Sequence, residues 1–448
     1  MLSCTLTAYW GPGANGSGVA EIIGYCSGVN YPNTISIPTF ITKIFGVVFA
    51  VAGGLTVGKE GPLAHIGANC GAITLYLFDW TAKRPLLAFL HNDHKKRQFI
   101  SAGASAGVSV AFGAPIGGAL FFYELTKPNP YWTFSMLWKN FLSCTTAVAT
   151  MAMAEALVHG EFSHWTATSL KFGNIRVVDI TPTAVIPGAI IIGFVSGLLG
   201  PLFINVNTRV NKVRGQIYNA KWKKPIDTWI FCFVTASVWY WVPYMTQTCV
   251  SRTILTKELA THPRADVELT LKTDTVLDKE SEVNVYQAWC TDPNTFNPIA
   301  SLFWQTEGGL IRDILDESVM CNFGQMFAFI LCWYIFTITT YGTMVPSGLF
   351  LPGMIIGCGL GEMYSKIILN IGLIDDAHYA VYRVIYIILG MAAMLASYTR
   401  MTYSLAVIVM ETSLAINIFL PSIVTIAVAN FTGQFFTRGL YDRAVRAK

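Results

Sequence analysis

Residues 55–68 read LTVGKEGPLAHIGA. An ionisable pair, Lys59 and Glu60, stands inside a glycine-rich break, with Gly61 and Pro62 directly after it and apolar sequence on both sides. Glycine tolerates the backbone angles needed to end one helix and start another. Proline in a first helical turn costs little, because its missing N–H would be unpaired there anyway. A helix beginning at Glu60 leaves free N–H groups and a positive dipole end, which an anion can satisfy. Taken singly, such a break is more often a kink or a packing notch. The ionisable pair tilts the reading toward function, since charge inside a membrane is costly. A carboxylate is itself an anion, so Glu60 suits a gate that yields its place to a mobile anion and carries a proton when neutral.

The surrounding sequence makes this a membrane problem. Of 448 residues, 53% are hydrophobic and 12% charged, against roughly 25% charged in a soluble domain. Apolar runs cover 34–57, 133–158, 180–206, 227–246, 322–343, 345–374, 379–398 and 403–437. Several reach the ~20 residues that span a bilayer core; Gly or Pro interrupts many. The fold class expected is an all-α polytopic membrane protein with broken helices, some too short to cross. The N-terminus, MLSCTLTAYWGPG, lacks the basic n-region of a signal peptide and reads like the end of a helix that starts upstream. Ten cysteines contain no CxxC pair, so neither a zinc nor a redox site is expected. Cys249 and Cys290 flank the one long polar segment; a disulfide between them and two free thiols are both open readings.

Charge sets the orientation. HKKR at 94–97, the stretch 209–224 and the terminal RGLYDRAVRAK are basic, which places them on the cytoplasmic side. Segment 250–298, with eight acidic and five basic residues, is placed outside or in a lumen. It lies in the second of two halves, 1–225 and 226–448. Each half carries a break followed by an apolar helix: Gly58-Lys59-Glu60-Gly61-Pro62 and Gly348-Leu349-Phe350-Leu351-Pro352. Such a pair points to an inverted repeat with a site near mid-membrane. A third break, Asn15-Gly16-Ser17-Gly18-Val19-Ala20-Glu21, lies upstream. Three helix starts converging make an anion site without a full positive charge.

These residues resemble the CLC family of chloride channels and proton-coupled chloride exchangers. GSGVAE is similar to the family's GSGIPE motif, GKEGP matches its GK/REGP motif, and GLFLP fits its GxFxP motif. The likeness continues through residues 95–124 and into FTRGLYD, and it is nearest the late-endosomal and lysosomal branch through VGKEGP, SAGASAGV, AFGAPIGG and GLYD. The resemblance implies a CLC-type inverted repeat, a homodimer with one pore per subunit in the lipid bilayer, and chloride as the transported ligand. No cofactor and no nucleic acid are implied, and an accessory subunit is left open. It also implies an endosomal, lysosomal or other endomembrane location, with the plasma membrane as the alternative. Carried over by residue, the anion-binding set is Ser17 and Tyr441 through their hydroxyls, with Gly18, Glu60, Gly61, Leu349 and Phe350 at the helix starts, and Glu60 is the gate. Serine at position 17 implies chloride over nitrate, because some nitrate-preferring members of the family have proline there.

Four departures stand out. Ala20 replaces the motif proline. In LFFYELTK, Glu124 matches the first acid of the family's LFxxEE stretch, but Leu125 takes the position of the exchangers' proton-transfer glutamate. Leucine cannot carry a proton, and Glu124 lies about 100° round the helix from it. A passive gated channel is therefore expected, with a chloride/proton antiporter and a truncated non-conducting remnant as alternatives. Further helices expected before GSGVAE and the paired CBS domains expected after Lys448 are the third and fourth departures.

Other candidates carry less. His65 is expected in the core or the pore lining, without a second metal ligand. The sequons at Asn15 and Asn430 are expected to be chance, Glu411 to be a structural hydrogen bonder, and Arg400 and Asp442 to lie at the membrane edge. A membrane-embedded hydrolase is disfavoured, since neither GxSxG nor HExxH occurs.

Overall fold

The computed structural model describes residues 1–81, 92–126, 134–159, 182–218, 220, 222–246, 248–251, 286–292, 295–315, 321–374 and 376–447. The helices are α1 (Leu2–Tyr9), α2 (Val19–Cys26), α3 (Ile37–Ala52), α4 (Glu60–Thr81), α5 (Asp93–Phe112), α6 (Pro115–Thr126), α7 (Phe134–His159), α8 (Pro182–Ile217) and α9 (Lys223–Thr246). After them come α10 (Pro298–Phe303), α11 (Glu307–Leu315), α12 (Phe323–Thr340), α13 (Phe350–Ile371), α14 (Asp376–Thr399), α15 (Tyr403–Ser413), α16 (Phe419–Phe436) and α17 (Leu440–Ala447). Two-residue strands, β1 (Val250–Ser251) and β2 (Thr295–Phe296), pair antiparallel beside a Cys249–Cys290 disulfide. Most of the polar segment 250–298 lies outside the described residues.

Among the described residues, six helical stretches are long and apolar enough to cross a bilayer, within 134–158, 184–217, 323–340, 350–371, 379–399 and 416–446, whereas Ile37–Ala52 and Tyr403–Ser413 are shorter. The expectation of a multi-pass, broken-helix protein therefore holds. Two runs differ in detail. The apolar run 403–437 is two helices, because Leu414 takes a left-handed conformation (φ 55°) and ends α15. The run 180–206 continues as helix to Ile217, so the first part of the basic stretch is helix and not loop. At 36 residues, α8 is about 54 Å long, well beyond a bilayer core. Arg214 near its end pairs with Asp227 of α9 at 2.6 Å.

Glycine sets the closest helix crossings. A Cβ on Gly67 of α4 would lie 2.2 Å from the Gly103 carbonyl oxygen of α5, and one on Gly357 of α13 would lie 2.3 Å from that of Gly390 in α14. Small residues let backbones touch where apolar burial supplies no drive between helices in lipid. The two crossings each involve the long helix that follows a break, one in each half of the chain.

A reciprocal contact joins α6 and α15. Glu124 near the end of α6 accepts hydrogen bonds from Thr402 N (2.7 Å) and Ser404 N (3.1 Å) and from both hydroxyls. Glu411 near the end of α15 accepts from Ile116 N (3.2 Å) and Gly117 N (2.7 Å). Each helix thus satisfies the orphan donors at the other's start, where a carboxylate is also favoured by the dipole. The structural hydrogen-bonding role expected of Glu411 is realised here.

Deeper charge is paired too. Glu362 of α13 meets Arg383 of α14 at 2.6 Å and Lys366 at 3.2 Å, and Arg383 Nη1 also donates to Leu315 O.

Candidate anion site

The two break segments meet through their backbones. Gly58 N donates to Gly348 O, and Gly348 N to Gly58 O, each at 2.9 Å. This isolated antiparallel bridge seats the starts of α4 and α13 side by side. The third break joins them: Gly16 N donates to Val345 O (3.1 Å) and Ser347 N to Gly16 O (3.2 Å). Glycine is required at the meeting point. A Cβ on Gly348 would lie 2.6 Å from Gly58 O, and one on Gly61 would lie 2.9 Å from the Ser17 Cβ. Gly18 has φ 82° and precedes α2 directly, with the His65 ring in the space its side chain would take.

Glu60 is completely buried. Neither of its carboxylate oxygens has a hydrogen-bond donor in good geometry. The side chain folds back over its own break and toward the start of α13. A Cβ on Gly58 would meet Glu60 Oε2 at 2.5 Å and Leu351 N at 3.2 Å, so the carboxylate and that helix start share one small volume. Leu351 N and Glu60's own N are the amides nearest its charge. Lys59 beside it is half-buried.

Around this point lie hydroxyls and aromatic rings. Ser17 is buried, and its Oγ accepts from Val19 N at 3.4 Å. Its hydroxyl also interacts with Tyr341. Tyr441, at the start of α17, is 3% exposed. Its ring lies 6.4 Å from Phe350, which packs edge-on against Phe112 and Phe121 at 5.8 and 5.5 Å. Tyr341 and Tyr398 are the phenols that act on Tyr441, and Tyr398 is also within electrostatic reach of Glu60. The Tyr398 hydroxyl donates to Leu349 O at 2.8 Å, which fixes the carbonyl at the α13 start.

The sequence-derived residues Ser17, Gly18, Glu60, Gly61, Leu349, Phe350 and Tyr441 therefore come together. Leu125 does not join them. It is half-buried against the apolar core, one turn beyond Phe121, about 6 Å further along α6. Glu124 is held in the cap of α15. His65 sits in the core, fully buried, its Nε2 3.0 Å from Thr34 O. Asn430 is 7% exposed and Asn15 Oδ1 is buried. Asp442 is exposed and pairs with Arg446. Arg400 reaches the carbonyls of Asn430 in α16 and of Thr437 just after it, at 3.3 Å each, tying down the turn that leads to Tyr441.

Sequence reasoning passed over Lys43, Tyr341 and Tyr398. Lys43 is fully buried on α3, and its Nζ donates to Ala14 O (2.9 Å) and Gly16 O (2.7 Å). It satisfies carbonyls at the break around residues 14–16. Lysine in the otherwise apolar IPTFITKIFGVVFAV is a signal that could have found it.

The sequence profile of the family described as "Voltage gated chloride channel" matches residues 1–434. The chain belongs to the voltage gated chloride channel family. Chloride channel protein A of Dictyostelium discoideum is 28% identical over 457 residues, covering 97% of this chain and 51% of that protein. The mouse H(+)/Cl(-) exchange transporter 7 is 28% identical over 459 residues, covering all of this chain and 52% of the transporter. The chain thus spans about half the length of these curated CLC relatives. The crystal structure of a slow cyanobacterial Cl-/H+ antiporter superposes with TM-score 0.66 at 18% identity, covering all of this chain and 84% of that one. That likeness shows the CLC fold.

Proposed function

We propose that this CLC protein passes chloride through the meeting point of its three breaks, with Glu60 as gate. One observation carries the reading: the Glu60 carboxylate is completely buried over the amide start of α13, beside Leu351 N, where a mobile anion would sit. Ser17, Tyr441 and the amides at 18–19, 60–61 and 349–351 then bind the anion by dipoles and hydroxyls. When Glu60 is protonated or displaced, the place becomes vacant for chloride.

A passive channel is favoured over exchange. Leu125 offers no proton at the internal position, and the lone pairs of Glu124 are engaged by four donors. Exchange is kept as the second reading because proteins similar to this chain are named as proton/chloride exchangers. The halves 1–225 and 226–448 act as the two repeats, each supplying one strand of the Gly58–Gly348 bridge. A homodimer with one pore per subunit, in an endomembrane, completes the proposal on the strength of the sequence resemblance.

Replacing the gate tests it. Glu60→Ala is expected to keep anion conduction and lose its dependence on pH and voltage in planar-bilayer recordings. Gating like that of the unsubstituted protein would remove Glu60 from the role.

A further inference from the structure

The outward face of α8 changes character along its length. Ile191, Phe194, Leu198 and Leu202 are exposed, and their spacing of three and four residues sets them in one apolar stripe. Asn205, Arg209, Lys212 and Gln216 continue that stripe at the same spacing, and all four are exposed. The apolar stretch of α8 begins at Ala184. Asn205 lies about 32 Å further along the axis, close to the ~30 Å thickness of a hydrocarbon core. The stripe therefore turns from aliphatic to cationic at the depth where a lipid tail gives way to its headgroup.

The cations on the stripe take no part in packing α8. That work falls to the opposite face, where Asn207 Nδ2 donates to Ile338 O and Tyr341 O at 2.6 and 2.7 Å, and Arg214 Nη1 to Thr339 O at 3.0 Å. These bonds satisfy carbonyls at the end of α12, and Asp227 balances the charge of Arg214. No acid occurs between Asp179 and Asp227, and among the described residues no ion pair involves Arg209 or Lys212. A third cation arrives from α17. Arg443 Nη1 donates to Asn205 Oδ1 at 3.1 Å, one helical turn before Arg209, while Asp442 beside it pairs with Arg446. On the other flank, Trp222 is 60% exposed, and the Lys223 ammonium lies 5.4 Å from its ring. Tryptophan is enriched where tails meet headgroups.

We infer that Arg209, Lys212 and Arg443, grouped about Asn205, bind the headgroup of an anionic phospholipid whose tails lie on the apolar stripe of α8. A guanidinium matches phosphate oxygens through two parallel hydrogen bonds, and the lysine adds a point charge beside it. A zwitterionic choline headgroup would bring its own cation against these three, so the site favours net negative lipid. Its side of the membrane is the one that the basic segments mark as cytoplasmic. The site stands whether or not Glu60 is the gate.

The test titrates the purified full chain, stripped of lipid in detergent, with dioleoylphosphatidylserine or dioleoylphosphatidylcholine, and counts bound lipid by native mass spectrometry. The serine lipid is expected to bind more tightly than the choline lipid. Arg209→Gln, Lys212→Gln and Arg443→Gln should each weaken the serine lipid about fivefold and leave the choline lipid unchanged. Arg209 and Lys212 are exposed, so their variants test the site even if Arg443→Gln disturbs the fold through Asn205. Lys212→Arg keeps the charge and should bind like the unsubstituted protein. Lys95→Gln removes a cation from another basic segment and should change nothing. Equal affinity for the two lipids would overturn the site, as would glutamine variants that bind the serine lipid normally. A loss at Lys95→Gln as large as at Arg209→Gln would also overturn it, by showing diffuse attraction with no defined site. Displacement of the serine lipid by excess inorganic phosphate would assign the cations to a soluble anion and refute the lipid.

Discussion

Glu60 was legible in sequence because its neighbours announce it: a charge between glycines, followed by proline, inside an apolar run. Ser17 and Phe350 were legible for the same reason. Tyr341 and Tyr398 were not, since each occupies ordinary local sequence and gains its place from contacts made by distant segments. In the proposed anion site, Ser17 is the residue that sets selectivity. Its Cβ lies against Gly61 and its buried hydroxyl interacts with Tyr341, and proline would remove both that hydroxyl and the backbone N–H of residue 17. Ser17→Pro is expected to raise nitrate permeability relative to chloride in bi-ionic recordings. An unchanged ratio would take Ser17 out of the selectivity site.

At the scale of elements, the long helices and their starts could be read from apolar runs and breaks, whereas their exact partners could not. The α6–α15 exchange of caps shows why. ELT at 124–126 and ETS at 411–413 are each unremarkable locally, and only the antiparallel packing gives each glutamate a helix start to satisfy. Glu411→Gln keeps one acceptor oxygen and loses the charge, while Glu124→Ala leaves two amides and two hydroxyls without it. Glu124→Ala is therefore the more costly change, at about 1–3 kcal/mol, read as a lower thermal midpoint in detergent. Equal midpoints for the Glu124→Ala and unsubstituted proteins would contradict the capping role. The glycine crossings were equally hidden, because glycine is common in membrane helices and does not say which helix it meets. Gly357→Leu drives a side chain into the Gly390 carbonyl and is expected to cost about 1–3 kcal/mol or more by overpacking. A melt unchanged by that substitution would show that α13 and α14 can separate without loss.

For the whole molecule, composition alone indicated a polytopic membrane protein, and the paired breaks indicated an inverted repeat. The Gly58–Gly348 bridge joins two backbone segments from opposite halves by two reciprocal hydrogen bonds, with the Glu60 carboxylate alongside. The distinction between conducting and exchanging is harder to read, because it depends on a proton route as well as an anion route. The proposed passive reading rests on Leu125, whose side chain carries no proton, and on Glu124, which is committed to a helix cap. Both point to chloride moving without protons. The decisive measurement is the reversal potential of the anion current in symmetric chloride as a pH gradient is imposed. A passive pore gated by Glu60 predicts that it stays at zero. A shift with the gradient would contradict it, showing that protons cross with chloride by a route that does not need an acid at position 125.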